Sequence, residues 1–202
     1  MKTPPPIHPN VLTAARLPMA PIAVGFMATQ TTWGYVTAAA LALILEITDI
    51  ADGQIARRYG SVTPFGKLFD PFSDAFCRFT LFLGLFSIGV ADLWMIIVIC
   101  FRDSSISFMR SVAAVRNVVV AARPSGKLKA IVQGVGTQII FLALVLFVLA
   151  PELPIPPELP WWTMLIITIV TFGSFIDYFI GNLPILRAAW HEESQGPSGS
   201  EP

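Results

Sequence analysis

The chain predicts an all-α integral membrane protein of six transmembrane helices with N- and C-termini cytoplasmic, and three observations carry that fold class. Hydrophobic residues make up 54% of the sequence and charged residues 13%, about half the charged share of an average soluble domain. The apolar residues gather in six segments, each long enough as a helix to cross a hydrocarbon core about 30 Å thick. Lysine and arginine fall near the N-terminus, in the second-to-third and fourth-to-fifth connections, in helix portions leading to them, or near the C-terminus; the opposite loops carry only Asp92, Glu152 and Glu158. The positive-inside rule then puts both termini on the cytoplasmic side. Basic and acidic residues number 13 each, which excludes a generally basic nucleic-acid binder.

In chain order, the Pro-rich start, residues 1–9, leads into a first apolar segment, Asn10 to Thr29, with Arg16 near its beginning. That segment is long enough to stay as a helix, so no cleavable signal peptide is expected. The second segment, Trp33 to Arg58, ends in a run of carboxylates, and the third, Gly66 to Val90, begins with two more. Leu93 to Asn117, Lys127 to Leu149 and Trp161 to Arg187 complete the set. The loop Pro151 to Pro160 repeats a Pro-Glu-Leu unit, and its proline density makes it a stiff connector. Trp161 and Trp162 follow as interfacial anchors. Residues 1–190 are expected to form one membrane domain. Residues 191–202, rich in Glu, Ser, Gly and Pro, are expected to be a disordered polar tail. Cys77 and Cys100 lie in apolar stretches and read as buried thiols. His8 and His191 sit in the ends, away from any metal role.

The chemistry-bearing stretch runs from Asp49 through Asp52, Gly53, Ala56 and Arg57 to Gly66, Asp70 and Asp74. At helical spacing Asp49, Asp52 and Ala56 share one stripe of a helix, while Gly66, Asp70 and Asp74 share a stripe of the next, so two carboxylate ridges can face each other. One unpaired Asp at the centre of a membrane helix costs roughly 2.5 to 3.5 kcal/mol, and four would cost on the order of 10 kcal/mol. Bound cations would remove that cost, and an oxygen-only donor set selects a hard divalent ion over zinc. Gly53 and Ala56 leave space for a ligand or a partner helix beside Asp52. Glu46 lies one turn deeper than Asp49, and Arg78 one turn beyond Asp74.

The pattern Asp-x2-Asp-Gly-x2-Ala-Arg-x8-Gly-x3-Asp-x3-Asp, filled at every fixed position from Asp49 to Asp74, resembles the signature of the CDP-alcohol phosphotransferase family. Average residue usage would produce it about once per 10^9 start positions, so chance is a poor account of it. The resemblance implies a two-metal site of Mg2+ or Mn2+ held by Asp49, Asp52, Asp70 and Asp74, with Asp74 as the base. It implies that Gly53, Ala56, Arg57, Thr63 and Gly66 surround the nucleotide and its diphosphate, and that the protein is a homodimer in the lipid bilayer. Two further stretches, Pro9-Asn-Val-Leu-Thr13-Ala-Ala-Arg16 and Thr63 to Asp74, are similar to those of bacterial phosphatidylglycerophosphate synthases, although Ala75 and Asp103 stand where those enzymes commonly place Lys and Glu.

The acceptor is read from the remaining cations. Arg102, Arg110, Arg123, Lys127 and Lys129 suit a phosphorylated polar alcohol better than choline or ethanolamine, because Arg and Lys recognise phosphate by charge-assisted hydrogen bonds. The resemblance implies that Arg110 and Lys127, with Arg102 nearby, hold the acceptor's phosphate. The expected activity is transfer of the phosphatidyl group from CDP-diacylglycerol to sn-glycerol 3-phosphate at the cytoplasmic face of an inner membrane, releasing CMP. Inositol phosphate is the alternative acceptor, and a cation or proton-coupled transporter is the alternative from another class.

Overall fold

The computed structural model describes residues 9–59, 64–115 and 123–194; within its helices the side chains of 9, 10, 52, 53, 55–59, 64, 67, 68, 115 and 184–194 lie outside that description. Six α-helices follow in order: α1 (Pro9–Ala28), α2 (Thr32–Tyr59), α3 (Pro64–Ser87), α4 (Leu93–Val115), α5 (Pro124–Leu149) and α6 (Leu159–Ser194). There is no strand among the described residues.

Local chemistry sets the helix ends. Pro64 and Pro124 open α3 and α5, where the ring supplies a helical φ and the missing N–H costs nothing. Thr31 caps α2 by accepting the Gly34 N–H at 3.1 Å on its hydroxyl. A side chain at Gly34 would strike the Phe26 carbonyl, so the α1–α2 turn can close this tightly only with glycine there. Gly89 ends α3 at φ 78°, while Val90 N donates to Leu85 O at 2.9 Å and Gly89 N to Phe86 O at 3.0 Å, a Schellman closure. Beyond it, Asp92 Oδ2 accepts from Trp161 Nε1 at 3.0 Å and Trp94 Nε1 at 3.3 Å, tying the α3–α4 turn to the start of α6.

Helix α1 packs on α2 and α3, and α6 packs on α4 and α5; the α2–α5 contact, with a smaller α3–α4 one, joins the two groups. Ala20 and Ala23 of α1 and Ala38 and Ala42 of α2 are buried, so these backbones approach closely. Phe82, Leu85, Met95, Ile140, Phe141, Met164 and Ile167 fill the rest of the core. Large apolar side chains also point outward on every helix, among them Ile22, Ile47, Phe72, Ile97, Ile131 and Ile169. Such a surface suits lipid rather than water.

Among the described residues, four helical stretches are long and apolar enough to cross a membrane: Val11–Ala28, Thr32–Ala51, Pro124–Leu149 and Leu159–Leu183. The sequence expectation was six. Helices α3 and α4 form as expected, but Asp70, Asp74 and Arg78 in one, and Arg102, Asp103 and Arg110 in the other, lower their hydropathy. Helix α6 runs through His191 to Ser194, with no helix breaker before Gly196 and Pro197; the rest of the expected polar tail, residues 195–202, lies outside the described residues. Cys77 is buried as expected, whereas Cys100 is exposed on α4.

Candidate active site

Helix α1 supplies the scaffold on which the carboxylates of α2 and α3 meet. Thr13 Oγ1 donates to Asp70 Oδ1 at 3.2 Å. Arg16 Nη1 donates to Asp49 Oδ1 at 2.5 Å, and its Nη2 lies 3.8 Å from Asp74 Oδ1. Both α1 residues are buried, with Arg16 only 2% exposed. Their register against α3 is fixed by Ser73 Oγ donating to Thr13 O at 3.2 Å and Cys77 Sγ to Arg16 O at 3.5 Å. A second guanidinium enters from α3 itself: Arg78 Nε donates to Asp74 Oδ1 at 2.9 Å, and Arg78 Nη2 lies 3.7 Å from Glu46 Oε1. A crevice with room for about one water opens among Arg16, Leu45, Glu46, Asp74, Arg78 and Gln138.

Each of these bonds to Asp49, Asp70 and Asp74 reaches Oδ1 of its carboxylate and ties it to the scaffold. Carboxylate oxygens are the kind of donor that suits a hard divalent cation, and Arg16 and Arg78 stand beside them as resident positive charges. Among the described residues no three His, Cys, Asp or Glu side chains close around one point; the Asp52 side chain, three residues beyond Asp49 on α2, lies outside the description.

A second polar cluster joins α4, α5 and α6. Asp103 takes Arg102 Nη1 at 2.7 Å and Lys129 Nζ at 3.0 Å on each oxygen, while Arg102 Nη2 donates to Ser174 Oγ at 2.9 Å. Arg102 and Lys129 are buried. One turn deeper, Gln133 Nε2 donates to Thr171 Oγ1 at 3.1 Å. Arg110 is exposed, donates from Nε to Tyr178 Oη at 3.2 Å and lies over that ring. At the same end Asp177 accepts from Ser125 and pairs with Arg123 at 3.4 Å.

A profile of the family described as CDP-alcohol phosphatidyltransferase matches residues 6–173. The chain belongs to that family. This phosphatidyltransferase is 32% identical over 195 residues to the CDP-diacylglycerol--glycerol-3-phosphate 3-phosphatidyltransferase of Bacillus subtilis (strain 168), covering 90% of this chain and 97% of the relative. It is 33% identical over 138 residues to a probable phosphatidylglycerophosphate synthase of Mycobacterium tuberculosis, covering 67% of this chain and 66% of that one. It is 30% identical over 173 residues to the CDP-diacylglycerol--glycerol-3-phosphate 3-phosphatidyltransferase of Rickettsia typhi, covering 83% and 93%. Family and apolar helices together make the phosphatidyltransferase an integral membrane protein.

The residues expected at the phosphatidyltransferase site are distributed as follows. Asp49 and Asp74 share Arg16, Asp70 is bonded to Thr13 on the same helix α1, and Gly66 is buried in the first turn of α3. Asp52, Gly53, Ala56 and Arg57 lie on α2 with side chains outside the description, and Thr63 lies outside the described residues. Of the expected acceptor cations, Arg102 is buried in the second cluster, Arg110 is on Tyr178, and Lys127 is exposed with no ion pair among the described residues. Lys129, two residues on, is the lysine that joins Arg102. The contribution of Thr13 and Arg16 to the carboxylate cluster was not assigned from sequence; the available signal was their three-residue spacing and an arginine in an apolar segment. Glu46 and Arg78 were noticed singly, but not as partners.

Proposed function

We propose that this chain transfers the phosphatidyl group of CDP-diacylglycerol to sn-glycerol 3-phosphate, giving phosphatidylglycerophosphate and CMP. The observation that carries the reading is that Asp49, Asp70 and Asp74 are all held by residues of α1, in a chain similar over nearly its whole length to an enzyme named for this reaction. The acceptor hydroxyl attacks the phosphatidyl phosphorus, the bond from that phosphorus to the CMP oxygen breaks, and the hydroxyl proton passes to a carboxylate, assigned to Asp74. Asp49, Asp52, Asp70 and Asp74 would hold Mg2+ or Mn2+, which when bound neutralises charge gathering on the diphosphate. Gly53, Ala56, Arg57, Thr63 and Gly66 receive the nucleotide and diphosphate. Arg102, Arg110 and Lys127, joined by Lys129, receive the acceptor's phosphate.

In this reading α3 and α4 also cross the membrane, six spans leave both termini and this site at the cytoplasmic face of an inner membrane, and two copies form a homodimer. The acyl chains then stay in lipid while the polar diphosphate reaches the carboxylates. Purified protein with Mg2+ or Mn2+ is expected to release CMP from CDP-diacylglycerol with glycerol 3-phosphate, and not with inositol phosphate, inositol or serine; turnover with one of those alone would move the acceptor assignment. Asp70→Asn is expected to abolish release. Full activity in that variant would remove the carboxylate cluster from the chemistry.

A further inference from the structure

Arg78 stands between two carboxylates rather than beside one. Its Nε donates to Asp74 Oδ1 at 2.9 Å, and its Nη2 faces Glu46 Oε1 at 3.7 Å. Glu46 is itself seated: a side-chain carbon at Gly134 of α5 would collide with its carboxylate, so that glycine provides the space Glu46 occupies. The series Asp74, Arg78, Glu46, Gly134 therefore runs from α3 through α2 to α5 and spans the contact between the two helix groups. We propose that Arg78 is a positioning residue for Asp74, and that Glu46, seated on Gly134, holds Arg78 in its orientation.

Three features favour this over the simpler roles. The Arg78 side chain is 12% exposed, so little of it can reach a substrate. Its Nε and Nη2 both face carboxylates of the protein, which leaves that edge of the fork occupied. Charge balance alone would be served by any cation, but only a planar guanidinium aims two fixed N–H groups at two carboxylates on different helices.

The proposal rests on the reading that Asp74 acts in phosphatidyl transfer, and the test separates the two. Arg78→Met, Arg78→Lys, Glu46→Gln and the double variant Glu46→Gln/Arg78→Met are assayed for CMP release at varied CDP-diacylglycerol and glycerol 3-phosphate, with Tm measured on the same detergent-solubilised samples. Arg78→Met is expected to lower kcat about 100-fold and Arg78→Lys about tenfold, with both KM values within about threefold of wild type. Glu46→Gln is expected to lower kcat about fivefold, and the double variant to match Arg78→Met, since Glu46 acts through Arg78.

Three results would overturn the proposal: wild-type kcat in Arg78→Lys, which would leave charge balance only; a raised KM with kcat intact, which would make Arg78 a substrate contact; or effects that multiply in the double variant. A purely structural role would lower Tm and the active fraction without separating kcat from KM. If the wild-type protein releases no CMP with any acceptor, the functional reading fails, and the Tm cycle alone decides the link. Non-additive Tm losses sustain it, and additive ones end it.

Discussion

At the scale of single residues, the carboxylates were legible because they are out of place. An acidic side chain in an apolar segment must be matched by something, and four at helical spacing name their own faces. What matches them was not legible, since Thr13 and Arg16 are 57 and 33 residues from Asp70 and Asp49, and periodicity along one helix does not say which face of another it meets. The same holds for Lys129, buried where Lys127 was expected. Arg16 has the larger consequence: with its guanidinium gone, Asp49 and Asp74 would repel each other across a buried gap. Arg16→Leu is therefore expected to cost about 3 kcal/mol of stability, the lower end for breaking a buried pair because Asp49 keeps some exposure. Thermal unfolding in detergent checks this, and adding Asp49→Asn should return part of the loss.

At the scale of helices, hydropathy located all six elements, while their bounds were harder to read: α3 and α5 open at Pro64 and Pro124, ahead of the expected Gly66 and Lys127, and α6 continues past Arg187 to Ser194, because polarity alone does not unwind a helix. Helix packing was legible only as small residues waiting for a neighbour. Gly136 shows what the neighbour is, for a side-chain carbon there would lie 2.7 Å from Cδ1 and 2.9 Å from Cγ1 of Ile167 on α6, a fully buried side chain. Gly136→Ala already forces Ile167 to shift, and Gly136→Leu adds further volume; overpacking of this kind is expected to cost about 1–3 kcal/mol. A Tm series across Gly, Ala and Leu at this position should therefore fall at each step.

At the scale of the whole molecule, α1, α2 and α3 hold the cluster of Asp49, Asp70 and Asp74 with Arg16 and Arg78, α4, α5 and α6 hold that of Arg102, Asp103 and Lys129, and the α2–α5 contact joins the two groups of helices. Segment lengths and charges announced both sets, but not that division, which depends on how helices distant in sequence pair. If metal ions complete the acidic side, EDTA should abolish CMP release, and Mg2+ or Mn2+ should restore it where Zn2+ does not; activity unaffected by chelation would count against an oxygen-ligated metal site. The hydrogen bonds that Thr13, Arg16 and Arg78 make to Asp70, Asp49 and Asp74 carry a further consequence. They hold these side chains in place when the chain folds, so a ligand arriving at the carboxylates meets groups whose rotamer freedom is already largely spent.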